Sequence, residues 1–148
     1  MIERLLYRSA IGYLGLGLAS GLYYRELTRT MRFEGVTQLA VVHTHLLALG
    51  FLVSLVLLSL VKAFALDGPL LRRGLLAYHA GMALTAGMML VKGTFEVLGS
   101  WTDRPMYAGI AGLGHILLTV ALAVILVALR RVAGADADRA SRSAASAG

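Results

Sequence analysis

Thr37-Gln38-Leu39-Ala40-Val41-Val42-His43-Thr44-His45-Leu46-Leu47-Ala48-Leu49-Gly50-Phe51-Leu52-Val53-Ser54-Leu55-Val56-Leu57-Leu58-Ser59-Leu60-Val61 contains no Asp, Glu, Lys or Arg, yet it carries two histidines. A helix crossing a bilayer needs about 20 mostly apolar residues, so this stretch reads as a membrane span. Three further runs, at about 5–24, 72–98 and 107–129, have the same character. The whole chain agrees: of its 148 residues 58% are hydrophobic and 15% charged, with a mean hydropathy of +0.76. A soluble chain is about 45–50% apolar and about 25% charged. The expectation is an all-α membrane protein of one domain (1–131), an up-down-up-down four-helix transmembrane bundle.

The joints between the runs carry turn chemistry. Asp67-Gly68-Pro69 separates the second span from the third, Gly99 suits the end of the third, and Asp103 and Pro105 suit the start of the fourth. The first run follows Arg4 and Arg8 in the manner of a signal peptide. However, Gly12, Gly15, Gly17 and Gly21 interrupt it and no clear cleavage site follows, so a retained helix is expected. Tyr7 and Tyr78 at one level, and Tyr23, Tyr24, Trp101 and Tyr107 at the other, suit interfacial belts. Residues 132–148 are polar, lack large apolar side chains and read as a disordered cytoplasmic tail.

The net charge of +6 does not point to nucleic acid, because the basic residues cluster at the ends of the apolar runs. One side collects Arg4, Arg8, Lys62, Arg72, Arg73, Arg130, Arg131, Arg139 and Arg142. The other holds Arg25, Arg29, Arg32, Lys92 and Arg104, offset by Glu26, Glu34, Glu96 and Asp103. The positive-inside rule then puts both termini in the cytoplasm, with the chain in the cell inner (cytoplasmic) membrane. With no cysteine, the chain offers no disulfide, thiolate metal site or C-x-x-C-H haem attachment. No nucleophile–base constellation or nucleotide motif points to an enzyme.

All four histidines, His43, His45, His79 and His115, fall inside the spans. An intramembrane ionisable ring is costly and by default marks a functional site. In the expected topology the second and fourth helices run the same way. His43 then lies about 9–10 Å deep and His115 about 12 Å deep, at 1.5 Å per residue. Two imidazoles at one level on diagonal helices suit bis-histidine haem ligation. The small residues beside them, Ala108, Ala111 and Gly112 near His115 and Gly50 near His43, leave room for a macrocycle or simply for close helix packing. His43 and His45 are about 200° apart on a regular helix, so only one can face a given ligand. His79 lies alone near the other face and reads as a structural hydrogen-bonding residue. Lys92 and Glu96 have the spacing of an i,i+4 ion pair. Lys92 with Arg25, Arg29 or Arg32 has the charge to meet haem propionates, and Met88 and Met89 sit near that level as packing or as alternative ligands.

Tyr24-Arg25-Glu26, Thr37-Gln38, the run Val42-His43-Thr44-His45-Leu46-Leu47-Ala48-Leu49-Gly50, and Gly109-Ile110-Ala111-Gly112-Leu113-Gly114-His115 resemble a family of small bacterial membrane proteins, domain of unknown function 2871. The resemblance covers about residues 5–130 and implies a four-helix membrane fold with no assigned activity. A looser likeness is to a haem-ligand helix of the haem-copper oxidase catalytic subunit. Thr44-His45-Leu46 through Gly50-Phe51 is similar to one form of that helix and Val42-His43-Thr44 to another, while the oxidase copper-site histidines and tyrosine have no counterpart.

Three functions fit these residues. The leading expectation is a b-type haem protein for electron transfer or small-gas sensing. His115 and one of His43 and His45 would be iron ligands, with Lys92 and Arg25 at the cofactor. The others are a non-haem accessory or transport protein whose histidines form a polar path, and a copper or zinc site built from His43, His45, His115 and Met88 or Met89. The expected partners are the lipid bilayer and a redox partner or membrane complex, with homo-oligomerisation left open.

Overall fold

A computed structural model of the protein describes the backbone of residues 1–146 and the side chains of residues 1–130. It comprises four helices, α1 (Ile2–Met31), α2 (Leu39–Ala63), α3 (Pro69–Val97) and α4 (Pro105–Ser146), with no strand among the described residues. Within α2 a π-helical turn occupies Leu46–Leu52. The expected joints form as the turn residues dictate. Asp67 accepts the Gly68 N–H at 2.8 Å, Gly68 takes φ 148°, and Pro69 opens α3. Gly99, at φ 68°, ends α3 while the Ser100 N–H reaches back to Phe95 O at 3.0 Å, a glycine-dependent helix stop. Pro105 opens α4, where its missing N–H costs nothing.

The backbone of α4 runs to Ser146, well past the span end expected near 129, through alanines that are the strongest helix formers. The expectation of a disordered tail at 132–148 concerns residues whose side chains lie outside the described set.

Leu39–Ala63, Pro69–Val97 and Pro105–Arg130 are long and apolar enough to cross a membrane. α1 has the length but not the apolarity of the other three. Leu16, Leu18, Leu113, Ile116, Val120 and Leu126 stand exposed on the outer surface. In water so much exposed apolar surface would drive aggregation, but lipid satisfies it. The protein is a membrane protein.

Consecutive helices are antiparallel. Gly17 and Gly21 of α1 abut Leu47 and His43 of α2, and Gly74, Gly81 and Thr85 of α3 abut Ile125, Leu118 and Gly114 of α4. Small residues let the backbones approach closely where lipid supplies no hydrophobic drive for association. α2 and α3 join at the end of the bundle that carries the 32–38 and 98–104 connections, here the distal end. There the Leu39 backbone lies directly on Gly93, where any Cβ would overlap it. Thr37 donates to Gly93 O at 2.9 Å, and Glu96 Oε2 accepts the Gln38 N–H at 2.8 Å, satisfying one of the orphan donors at the start of α2.

The sequence reading places α2 and α4 on diagonal corners, facing each other across the core, and this is corrected. Among the described residues α4 packs on α3 alone, and α1 does not meet α4. The bundle is therefore two antiparallel hairpins joined along α2 and α3, with α1 also meeting α3. The physical reason is that the small-residue seam of α4 is matched to α3, which leaves α2 and α4 flanking a groove rather than touching.

Candidate functional site

That groove lies in the distal half. It encloses about 700 Å³, with α3 as its floor. α2 contributes Val41 and His45, α3 contributes Thr85, Met88, Met89 and Lys92, and α4 contributes Ala108, Ala111 and His115, with Trp101, Asp103 and Arg104 at the mouth. His45 and His115 thus line one cavity from opposite walls. His43 does not line it and packs against Gly21 of α1.

The two groove histidines are held in the same way. His45 Nδ1 lies 3.0 Å from Val41 O and His115 Nδ1 lies 2.9 Å from Ala111 O, each the carbonyl one turn back on its own helix. A carbonyl only accepts, so Nδ1 carries a proton in both rings and, in the neutral ring, Nε2 holds the lone pair. Fixing one nitrogen to orient the other is how ligating histidines are prepared. The Nε2 atoms have no hydrogen-bond partner among the described residues, whereas His79 has both nitrogens engaged. Tyr13 OH lies 2.9 Å from His79 Nδ1 and Ser9 Oγ lies 3.2 Å from His79 Nε2, tying α3 to α1. His79 is thus placed in the structural role the sequence suggested. Among the described residues no three His, Asp or Glu side chains converge as a metal-ion site.

The choice between the two adjacent histidines follows from the phase of α2. Its buried stripe runs Leu39, Val42, Leu46, Gly50, Ser54, Leu57, Val61. A regular helix traced back from Ser54 at 100° per residue would put His43 on that stripe. The π turn brings Val42 onto it instead. His43 then falls about 100° to one side, towards α1, and His45 about 60° to the other, towards the groove.

At the mouth, Lys92 Nζ lies 3.8 Å from Glu96 Oε1, the expected i,i+4 pair, and 3.4 Å from Asp103 Oδ1. It also sits 5.6 Å from the centre of the Trp101 ring. The Trp101 indole N–H donates to Asp103 Oδ1 at 2.8 Å. That hydrogen bond, and then the Lys92 charge, hold the Asp103 carboxyl below the ordinary carboxylate value. Arg25 is not brought to the groove; it pairs with Glu26 at 3.6 Å on the surface of α1.

Sequence reasoning missed Thr85 and the cavity role of Arg104. Thr85 is 1% exposed, and its hydroxyl is a buried polar atom without a partner. Its signal was available: a polar residue three and four positions before Met88 and Met89 within an apolar run.

The fold and site define a class: a small four-helix membrane protein with a histidine-lined groove between two of its helices. The chain belongs to the family described as "Protein of unknown function (DUF2871)", whose model matches residues 3–132. No curated protein and no solved structure matches the chain. The likeness of α2 to a haem-ligand helix of the oxidase subunit therefore rests on local sequence alone.

Proposed function

We propose that the protein is a membrane-embedded b-type haem protein, in which His45 and His115 would hold the iron and electron transfer would be its task. One observation carries this reading: two histidines on opposite walls of one cavity, each with Nδ1 tied to its own helix and Nε2 free. The cavity's size lies in the usual ligand range of about 300–1,000 Å³. Val41, Ala108 and Ala111 give it apolar walls, and Lys92 and Arg104 give the mouth cations suited to propionate carboxylates. Haem held there would supply one-electron chemistry, and two histidine ligands leave no open coordination position, which favours electron transfer over gas sensing. The distribution of basic residues supports four passes through the cytoplasmic membrane with both termini inside.

Met88 and Met89 in the same cavity favour a second reading, a cuprous ion held by two imidazoles and a thioether, since soft ligands select that metal. Both readings meet one test. Protein purified from haem-sufficient cells should show a Soret band and a sharp reduced α band, and both should be lost in His45→Ala and in His115→Ala. A colourless, well-folded preparation would sink the haem reading, and metal analysis of that sample would decide for or against copper.

A further inference from the structure

The π turn begins at the residue after His45 and has a definite hydrogen-bond signature. In a regular helix the Val53 N–H would bond Leu49 O, four residues back. Here it reaches Ala48 O, five residues back. Leu49 O is thereby released, and it is taken by the Tyr78 hydroxyl from α3. Ser54 Oγ donates to the next carbonyl, Gly50 O, at 2.6 Å, and the Tyr13 ring of α1 packs where a Gly50 side chain would stand. One surplus residue has been absorbed into the helix, and neighbouring helices satisfy what it disturbs. Such single-turn π bulges are rare and recur at functional sites.

We propose that this surplus residue is what assigns His45, and not His43, to the groove, with Tyr78 as the positioning residue that holds the wide turn. The proposal rests on the reading of the groove as a haem site only for its functional meaning. The phase of α2 is testable without any cofactor. A regular helix is rotated about 100° upstream by either a deletion or an insertion of one residue. A helix with one residue too many responds asymmetrically, because deletion within Leu46–Leu52 removes the surplus and leaves both flanks in phase, whereas insertion turns the upstream segment.

The chain has no cysteine, so one engineered pair reports the phase. A Cβ on Gly21 would lie 3.6 Å from His43 Cβ, within the disulfide range of about 3.5–4.5 Å. The Gly21→Cys/His43→Cys chain, full length in detergent or bilayer, should therefore close a disulfide on mild oxidation. Deleting Ala48, an exposed residue of the turn, should leave closure intact, and inserting one alanine after Ala48 should abolish it. Tyr78→Phe at native length should slow closure about fivefold, as loss of one hydrogen bond does. Loss of closure on deletion, misfolding of the deletion chain, or equal closure after deletion and insertion would each overturn the assignment, and unchanged closure in Tyr78→Phe would remove Tyr78 from it. In haem-loaded protein with His43 intact, the deletion chain should keep the spectrum that His45→Ala removes, and the insertion chain should lose it. A wild-type protein without haem would defeat the functional reading alone, since the disulfide results would still stand.

Discussion

The distal and proximal halves of this bundle each contain intramembrane histidine, and they use it in opposite ways. Proximally, His79 has both ring nitrogens occupied, by Tyr13 and Ser9 of another helix. Distally, His45 and His115 each spend one nitrogen on their own helix and line a cavity. The same residue type at similar cost in lipid fastens two helices in one half and lines a groove in the other. What separates them is the account of their nitrogens, not their depth or their number.

The sharpest way to break this contrast is substitution of the histidines themselves. His45→Ala or His115→Ala should abolish the low-spin haem spectrum, whereas His79→Ala should leave haem per chain unchanged. The His79 variant should instead lower thermal stability in detergent by about 1 kcal/mol, because part-buried hydroxyls of α1 lose their partner. A spectrum lost in His79→Ala with folding intact would erase the distinction.

Next in size is the seam that sets the groove. Gly93→Val should cost about 1–3 kcal/mol or more, since overpacking pushes the start of α2 off α3. Thermal unfolding and haem retention should fall together, because Leu39 and His45 ride on the same short segment.

Smaller is the mouth. Lys92→Gln should weaken binding of haem to the stripped protein about fivefold to tenfold and have little effect on haem dimethyl ester, whose carboxylates are neutral, as expected of a charge-assisted contact. Equal losses for both compounds would show that Lys92 acts by packing.

The smallest effect concerns Asp103. Its carboxyl is held below the ordinary value of 3.8, first by Trp101 and then by Lys92. A depressed acid contributes to the fold while it is ionised, so its grip is present above the ordinary value and is lost as pH falls through the lowered one. Trp101 is the only tryptophan in the chain. Its fluorescence should change with a midpoint below pH 3.8, and Asp103→Asn should show the acid-form emission at neutral pH.

Much of the architecture was legible in the sequence because bilayer thickness and turn chemistry are local constraints. Four helices form around the four expected runs, although α1 and α4 extend past them and α1 lacks the apolarity of the others, and the Asp67-Gly68-Pro69 joint, Gly99 and Pro105 appear where expected. The structural role of His79 was also legible, since no second histidine lay at its level. The open side of the bundle was not, because small residues signal close packing without naming the partner helix. Nor was the choice of His45 over His43. No proline marks the π turn, and the 4-4-4 spacing of Val42, Leu46, Gly50 and Ser54 acquires meaning only once their burial is known. The position of Arg25, expected at the cofactor, was not legible either: it pairs with Glu26 on the surface of α1 and does not line the groove.

Because the first hairpin supplies His45 and the second supplies His115, an iron bound by both would be a cross-brace between two units that otherwise meet along α2 and α3 and where α1 holds His79. Ligand affinity and hairpin association are then one linked equilibrium. Haem at 100 times its dissociation constant would add about 2.7 kcal/mol to the cohesion of the pair. Release of either histidine would return the seam to its own small-residue contacts, so occupancy of the groove would be felt mechanically along the whole length of the membrane domain.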